Sequence, residues 1–207
     1  MKNARKLLAL LLTLAMLTAL LAGCGSDDSK KLIGSWVKTV SLAEIGDDWD
    51  GLEEMRDMMD LSKITIDVSL VFSDDGTYSM NIIPESAEVA VDVMYEEIKP
   101  FVRKQIEEQL AINGINKTVD EYLAWEGYTL DEFIALAFDR NELINLIISC
   151  SYSGRFDASD GKLYLSNSIN QEPSRAQYSC YVFEGDTLLL TEDMGGKSVT
   201  MRLNRVK

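Results

Sequence analysis

Three cysteines, at positions 24, 150 and 180, and 34 carboxylates are the groups with chemistry to offer in this chain, because it has no histidine. Without imidazole there is no ordinary general base at neutral pH, no histidine-dependent triad and no usual zinc ligand. Catalysis would have to rest on carboxylates, lysine or tyrosine, and no motif sets one pair of carboxylates apart as acid and base. The chain is therefore read as non-enzymatic, with no cofactor. The densest acidic stretch, Asp47, Asp48, Asp50, Glu53 and Glu54, invites a calcium loop. Placing Gly51 on the glycine of an EF-hand loop puts Gly46, which has no side-chain oxygen, at the first ligand position. It also puts Asp57 where a bidentate glutamate belongs. No metal site is expected; these carboxylates suit the positive start of a helix.

Cys24 follows a basic start (Lys2, Arg5, Lys6) and the 16-residue apolar run Leu7 to Ala22. That order is a signal's, and the run is shorter than the roughly 20 residues of a spanning helix. "LAGC", Leu21 to Cys24, resembles the lipobox of bacterial lipoproteins. The resemblance implies that residues 1–23 are a signal peptide, cleaved before Cys24, and that the Cys24 thiol carries a diacylglyceryl group. The two palmitate-type chains of that group would make the anchor stable, since one chain holds only marginally. Residues 24–31, small, polar and charged, then form a lipidated tether. The expected location is the cell membrane, lipid-anchored and facing the outside of the cytoplasm. With Cys24 acylated, Cys150 and Cys180 are too few for a thiolate zinc site. Past the signal the chain carries 17 basic and 34 acidic residues, a net charge of −17. A body of that charge repels nucleic acid and anionic lipid surfaces, so no nucleic-acid partner is expected.

The remaining text alternates between two periods. "LIGSWVKTV", "KITIDVSLVF" and "TYSMNII" read as three strands, the second alternating Ile64, Ile66, Val68, Leu70 and Phe72 against polar residues. "GDDWDGLEEMRDMMDL" between the first two reads as a short amphipathic helix. From Pro84 to about Ile148 the period becomes helical, with Val89, Val93, Met94, Ile98, Phe101, Val102, Ile106 and Leu110 along one stripe. Pro100 is expected to kink this helix or start another. "TVDEYLA" and "TLDEFIA" repeat eleven residues apart, each opening on a capping box, Thr118 with Glu121 and Thr129 with Glu132. The last third is a string of hairpins whose turns carry Asp-Gly, Gly-Asp or Gly-Gly. Its apolar phases place Cys150 and Cys180 as buried, unpaired thiols on next-but-one strands, too far apart for a disulfide. About eight strands must hide their edges, and closing into a barrel removes them.

"GSW", Gly34 to Trp36, on the first strand and Arg205 on the last resemble the signature of lipocalin-like barrels. The resemblance implies an α+β fold: an antiparallel up-and-down barrel of about eight strands, residues 32–83 and 148–207. A helical insert, 84–147, lies between strands three and four. It further implies a structural barrel plug, in which Trp36 closes one end beside Gly34 and Arg205 packs over it. The insert words "EEQLAINGI" and "TVDEYLAWEGYTLDEFI" are similar to the helical arms of trigger-factor-type chaperones, which cradle unfolded chains. The function expected first is binding of a small apolar ligand by the barrel, or by a groove between barrel and insert. The alternative is a protein- or peptide-binding module, chaperone-like or for assembly, acting through the insert.

Overall fold

The computed structural model describes residues 29–44, 52–194 and 197–206. Cys24 and the acidic residues Asp47, Asp48 and Asp50 lie outside them. A helical turn α1 (Ser29–Leu32) leads into β1 (Gly34–Ser41). Helix α2 (Leu52–Met58) and a 3-10 turn follow, then β2 (Thr65–Phe72) and β3 (Thr77–Ile82). Four helices come next: α3 (Pro84–Ile112), α4 (Val119–Glu126), α5 (Leu130–Ala137) and α6 (Arg140–Ser149). The chain ends in β4 (Tyr152–Ser159), β5 (Lys162–Ser166), β6 (Ser179–Glu184), β7 (Thr187–Met194) and β8 (Lys197–Arg205). The strands pair in chain order and β8 closes on β1. The fold is α+β, a closed eight-stranded antiparallel up-and-down barrel with four helices, α3 to α6, inserted between β3 and β4.

The hairpins follow from their turn residues. Asp160 and Gly161, at φ 53° and 72°, make the two-residue link from β4 to β5. Positive φ at both centres gives a turn whose twist matches that of the strands. In β6 the side chains alternate strictly, Ser179 and Tyr181 buried, Cys180 and Val182 exposed.

The chain divides into two compact units, and the division runs through β1, β2 and β3. One unit carries the described residues up to Val37, Leu70–Met80 and the chain from Tyr152 onward; the other carries Lys38–Ser69 and Asn81–Ser151. The first has a core of Trp36, Phe72, Tyr78, Leu163, Leu188 and Leu203. The second is built on Ile64, Ile66 and Ile82 against Ala87, Ala90 and Val91 of α3. Alanine at two of these three helical positions lets the helix backbone approach the strands closely. Among the described residues no helix is long and apolar enough to cross a membrane.

Three expectations need correction. Pro100 does not start a new helix: α3 runs unbroken for 29 residues. The proline lacks the N–H that would have bonded within the helix, and the helix continues past it. Val89 is 60% exposed, because the buried face of α3 follows Ala87, Ala90, Val91 and Met94. The two thiols are unpaired, as expected, but both are exposed. Cys150 is the C-cap of α6 and not a strand residue. Cys180 lies on the outer face of β6 with Tyr178 and Val182, while Tyr181 fills the apolar interior. Iodoacetamide applied to the native chain should therefore alkylate both within minutes. Mass spectra showing either site blocked until denaturant is added would contradict these placements.

Candidate functional site

Of the sequence-expected site residues, Gly34, Trp36 and Arg205 come together. Trp36 pairs with Arg205 across β1 and β8. The Trp36 indole is 1% exposed, donates from Nε1 to the Leu32 carbonyl at 2.7 Å, and has the Arg205 guanidinium 4.6 Å from its ring centre. Arg205 also donates to the carbonyls of Lys31 and Ile33. Gly34 sits at φ 123°, a backbone conformation costly for other residues, and a Cβ there would lie 3.6 Å from Arg205 Nη1. The indole N–H and the Arg205 Nη2 are thus both engaged with backbone carbonyls of the chain itself. Cys24 lies outside the described residues. Among the described residues no three histidine, cysteine or acidic side chains gather closely enough to hold a metal ion.

Among the described residues, the same unit buries the Tyr78 hydroxyl without a hydrogen-bond partner. Burial, and then the neighbouring Tyr152, push its pKa up to about 12. A group whose pKa is raised in the folded state contributes stability that is intact below its unfolded value and lost as pH rises through the folded one. Tyr78→Phe should thus leave the melting temperature at pH 7 unchanged or higher, since it deletes an unsatisfied buried group. Its advantage over wild type should widen above pH 10. A variant that melts lower at pH 7 would show that the hydroxyl has a partner in solution.

The second unit carries a groove of about 480 Å³. Its floor is the C-terminal half of α3, where Ile98, Phe101, Val102, Ile106 and Leu110 recur at helical spacing. Its far wall is made by the internal repeat. Tyr122 of α4 and Phe133 of α5 occupy the same place in the two seven-residue words, and both line the groove. The residues after them, Leu123 and Ile134, are both buried to 1%. Each word opens with its capping box formed: Thr118 accepts from the Glu121 N–H, Thr129 from the Glu132 N–H, and each glutamate accepts in return. Those hydrogen bonds hold the Glu121 and Glu132 carboxyls below their ordinary range.

Ion pairs set the helices around this groove. Arg103 of α3 clasps Asp120 of α4 with two hydrogen bonds of 2.9 and 3.2 Å. Lys99 reaches Asp131 of α5 at 2.8 Å, and Arg140 of α6 reaches Asp92 of α3 at 2.9 Å. Exposed pairs contribute little stability individually, so their role is register. The end of the groove is shaped by the α3 terminus. The Ile115 N–H returns to the Leu110 carbonyl and the Gly114 N–H to Ala111, with Gly114 at φ 65°. This left-handed cap folds Ile115 back beside Leu110, and both line the groove.

Among the described residues that line it no side chain is charged, and Gln105, Gln109 and Asn113 supply the amide groups. Phe133, Phe138 and Ile115 are each more than a third exposed. Such an uncharged, aromatic-rimmed groove can bury apolar groups and orient them with a few amides. Sequence reasoning drew the α3 stripe and offered the insert as a peptide-binding module without placing a groove; the signal that could have placed it was the repeat, which puts an aromatic residue at matched positions. No protein-family model matches this chain, and no curated protein or solved structure resembles it at a significant level.

Proposed function

We propose that this chain is an exported, lipid-anchored binding protein with a lipocalin-like barrel, and that its helical unit grips an apolar segment of another polypeptide. The observation that carries this reading is the groove between α3 and the α4–α5 repeat, open to solvent and rimmed by exposed aromatic residues. Apolar surface of this kind is costly to leave bare and marks interaction sites. Helices with no free strand edge favour a helical guest, which docks side chains at i, i+3, i+4 and i+7. The test uses a fluorescent, uncharged amphipathic peptide of about 16 residues, roughly 24 Å of helix. Binding should be saturable, and lost in Ile106→Asp and Phe133→Asp with the circular dichroism spectrum kept. Equal binding by wild type and both variants would sink the reading.

A second reading, a small apolar molecule held by the barrel, has an observation of its own. Met201 pairs with the buried Leu190 and so shares the inward phase of β8 with Val199 and Leu203. Yet Val199 and Met201 are 52% and 41% exposed. A neutral dye whose binding survives Phe133→Asp and fails in Met201→Asp would favour this site. The anchor has a separate test. Cys24→Ser should abolish incorporation of a fatty-acid analogue, and equal labelling of variant and wild type would refute the lipid assignment.

A further inference from the structure

We infer that the segment held in the α3–α5 groove is cationic, an amphipathic helix with lysine or arginine flanking its apolar stripe. The inference rests on the peptide-binding reading above and concerns the chemistry of the guest. Residues 84–149 contain 14 acidic and five basic residues, a net charge of −9. All five basic groups are already engaged within the unit. Lys99 bridges Glu96 and Asp131, Arg103 holds Asp120, Lys104 faces Glu108 and Arg140 holds Asp92. The fifth, Lys117, lies over the Trp125 ring at 4.3 Å. What remains to meet a partner is acidic.

The helix ends add to the same sign. The last turns of α3 and α5 carry no basic residue, and their C-caps, Asn113 and Phe138, both line the groove. Neither last turn therefore offers the negative end of its helix dipole a cation of its own. Among the described residues lining the groove no charge competes with an apolar guest. Around it, the acidic excess raises the local concentration of positive ligands and repels negative ones. An acidic amphipathic helix would bury the same apolar area against a like-charged rim, so discrimination comes from repulsion as much as attraction.

Three labelled peptides with one leucine pattern and lysine, glutamine or glutamate at the flanking positions provide the test. Each is titrated against the chain from Gly25 onward, which holds every element described above. The lysine peptide should bind at least about tenfold tighter than the glutamine peptide at low salt, with the gap closing as salt is raised. The glutamate peptide should bind weakest. Phe133→Ser should weaken the lysine peptide while leaving the helical spectrum intact. Three equally tight peptides, all lost in Phe133→Ser, would overturn the charge preference and leave the groove reading standing. Lysine-peptide binding that is indifferent to Phe133→Ser and to Ile106→Asp would overturn the inference as diffuse attraction to an acidic surface. Failure of all three to bind would remove the groove reading itself. Sedimentation showing a dimer that the lysine peptide cannot dissociate would identify a second copy as the occupant and also overturn it.

Discussion

Replacing Gly154 by alanine should cost about 3 kcal/mol or more, at or beyond the top of the usual overpacking range. A Cβ at Gly154 would stand 1.7 Å from the backbone oxygen of Ser166 and 2.9 Å from Tyr78 Cε1. Tyr78 is buried, so its ring has nowhere to turn, and a carbonyl within a strand has no rotamer to change. Relief requires β4 and β5 to part beside the Arg155–Ser166 pair, which opens the ladder where it begins. Gly127 supplies the control. It sits at φ 90° with nothing within 4 Å of its virtual Cβ, so Gly127→Ala meets backbone strain alone. That should cost about 1 to 2 kcal/mol. Urea titrations of the two variants decide it. A Gly154→Ala midpoint equal to wild type, or one shifted no more than that of Gly127→Ala, would mean the strands are not so closely apposed.

Trp36→Ala should cost about 3 to 5 kcal/mol, the range for a large aromatic removed from a core. The ring is packed against Phe183, with centroids 5.7 Å apart, and covered by Arg205. Truncation also strips the Leu32 carbonyl of its indole donor and leaves the Arg205 guanidinium over a cavity. In a chain of this size the melting temperature should fall by roughly 6 to 20 °C. Trp36→Phe keeps much of the buried area and loses the hydrogen bond, so it should fall between. If Trp36→Ala melts with wild type, the packing around β1 and β8 described here is wrong.

The barrel and its helical insert were legible because period-two and period-3.6 stretches alternate cleanly along the chain. Strict alternation in "KITIDVSLVF" fixed the face of β2, and the phase shared by Leu203 and Arg205 brought the right arginine to Trp36. Where both phases carry apolar residues, alternation is silent. In "QYSCYVFE" Tyr178 and Val182 balance Tyr181 and Phe183, and so Cys180 was assigned to the wrong face. The end of the helical stretch was set at about Ile148 and Cys150 given to the next strand, whereas α6 ends at Ser149 with Cys150 as its cap. Gly154 and the groove were illegible for a different reason. Each depends on what a distant segment brings alongside, Ser166 in one case and α4 and α5 in the other. A helical stripe has one appearance in sequence, whether it is covered or left open.

The pairing of β1 with β8 has a kinetic consequence. Barrel closure joins the first strand to the last, so nearly the whole folded chain must be gathered before that contact forms. Loop-closure entropy grows with the logarithm of the intervening length, and folds dominated by such distant pairings form in milliseconds to seconds. The contacts among α3 to α6 span a shorter stretch and need not wait for β8. During refolding, helical signal should therefore rise before Trp36 becomes protected. Until the seam closes, β1 and β8 are both edges open to other chains. Lys38 on β1, with Arg202 and Arg205 on β8, places positive charge on both edges, a common guard against edge-to-edge aggregation.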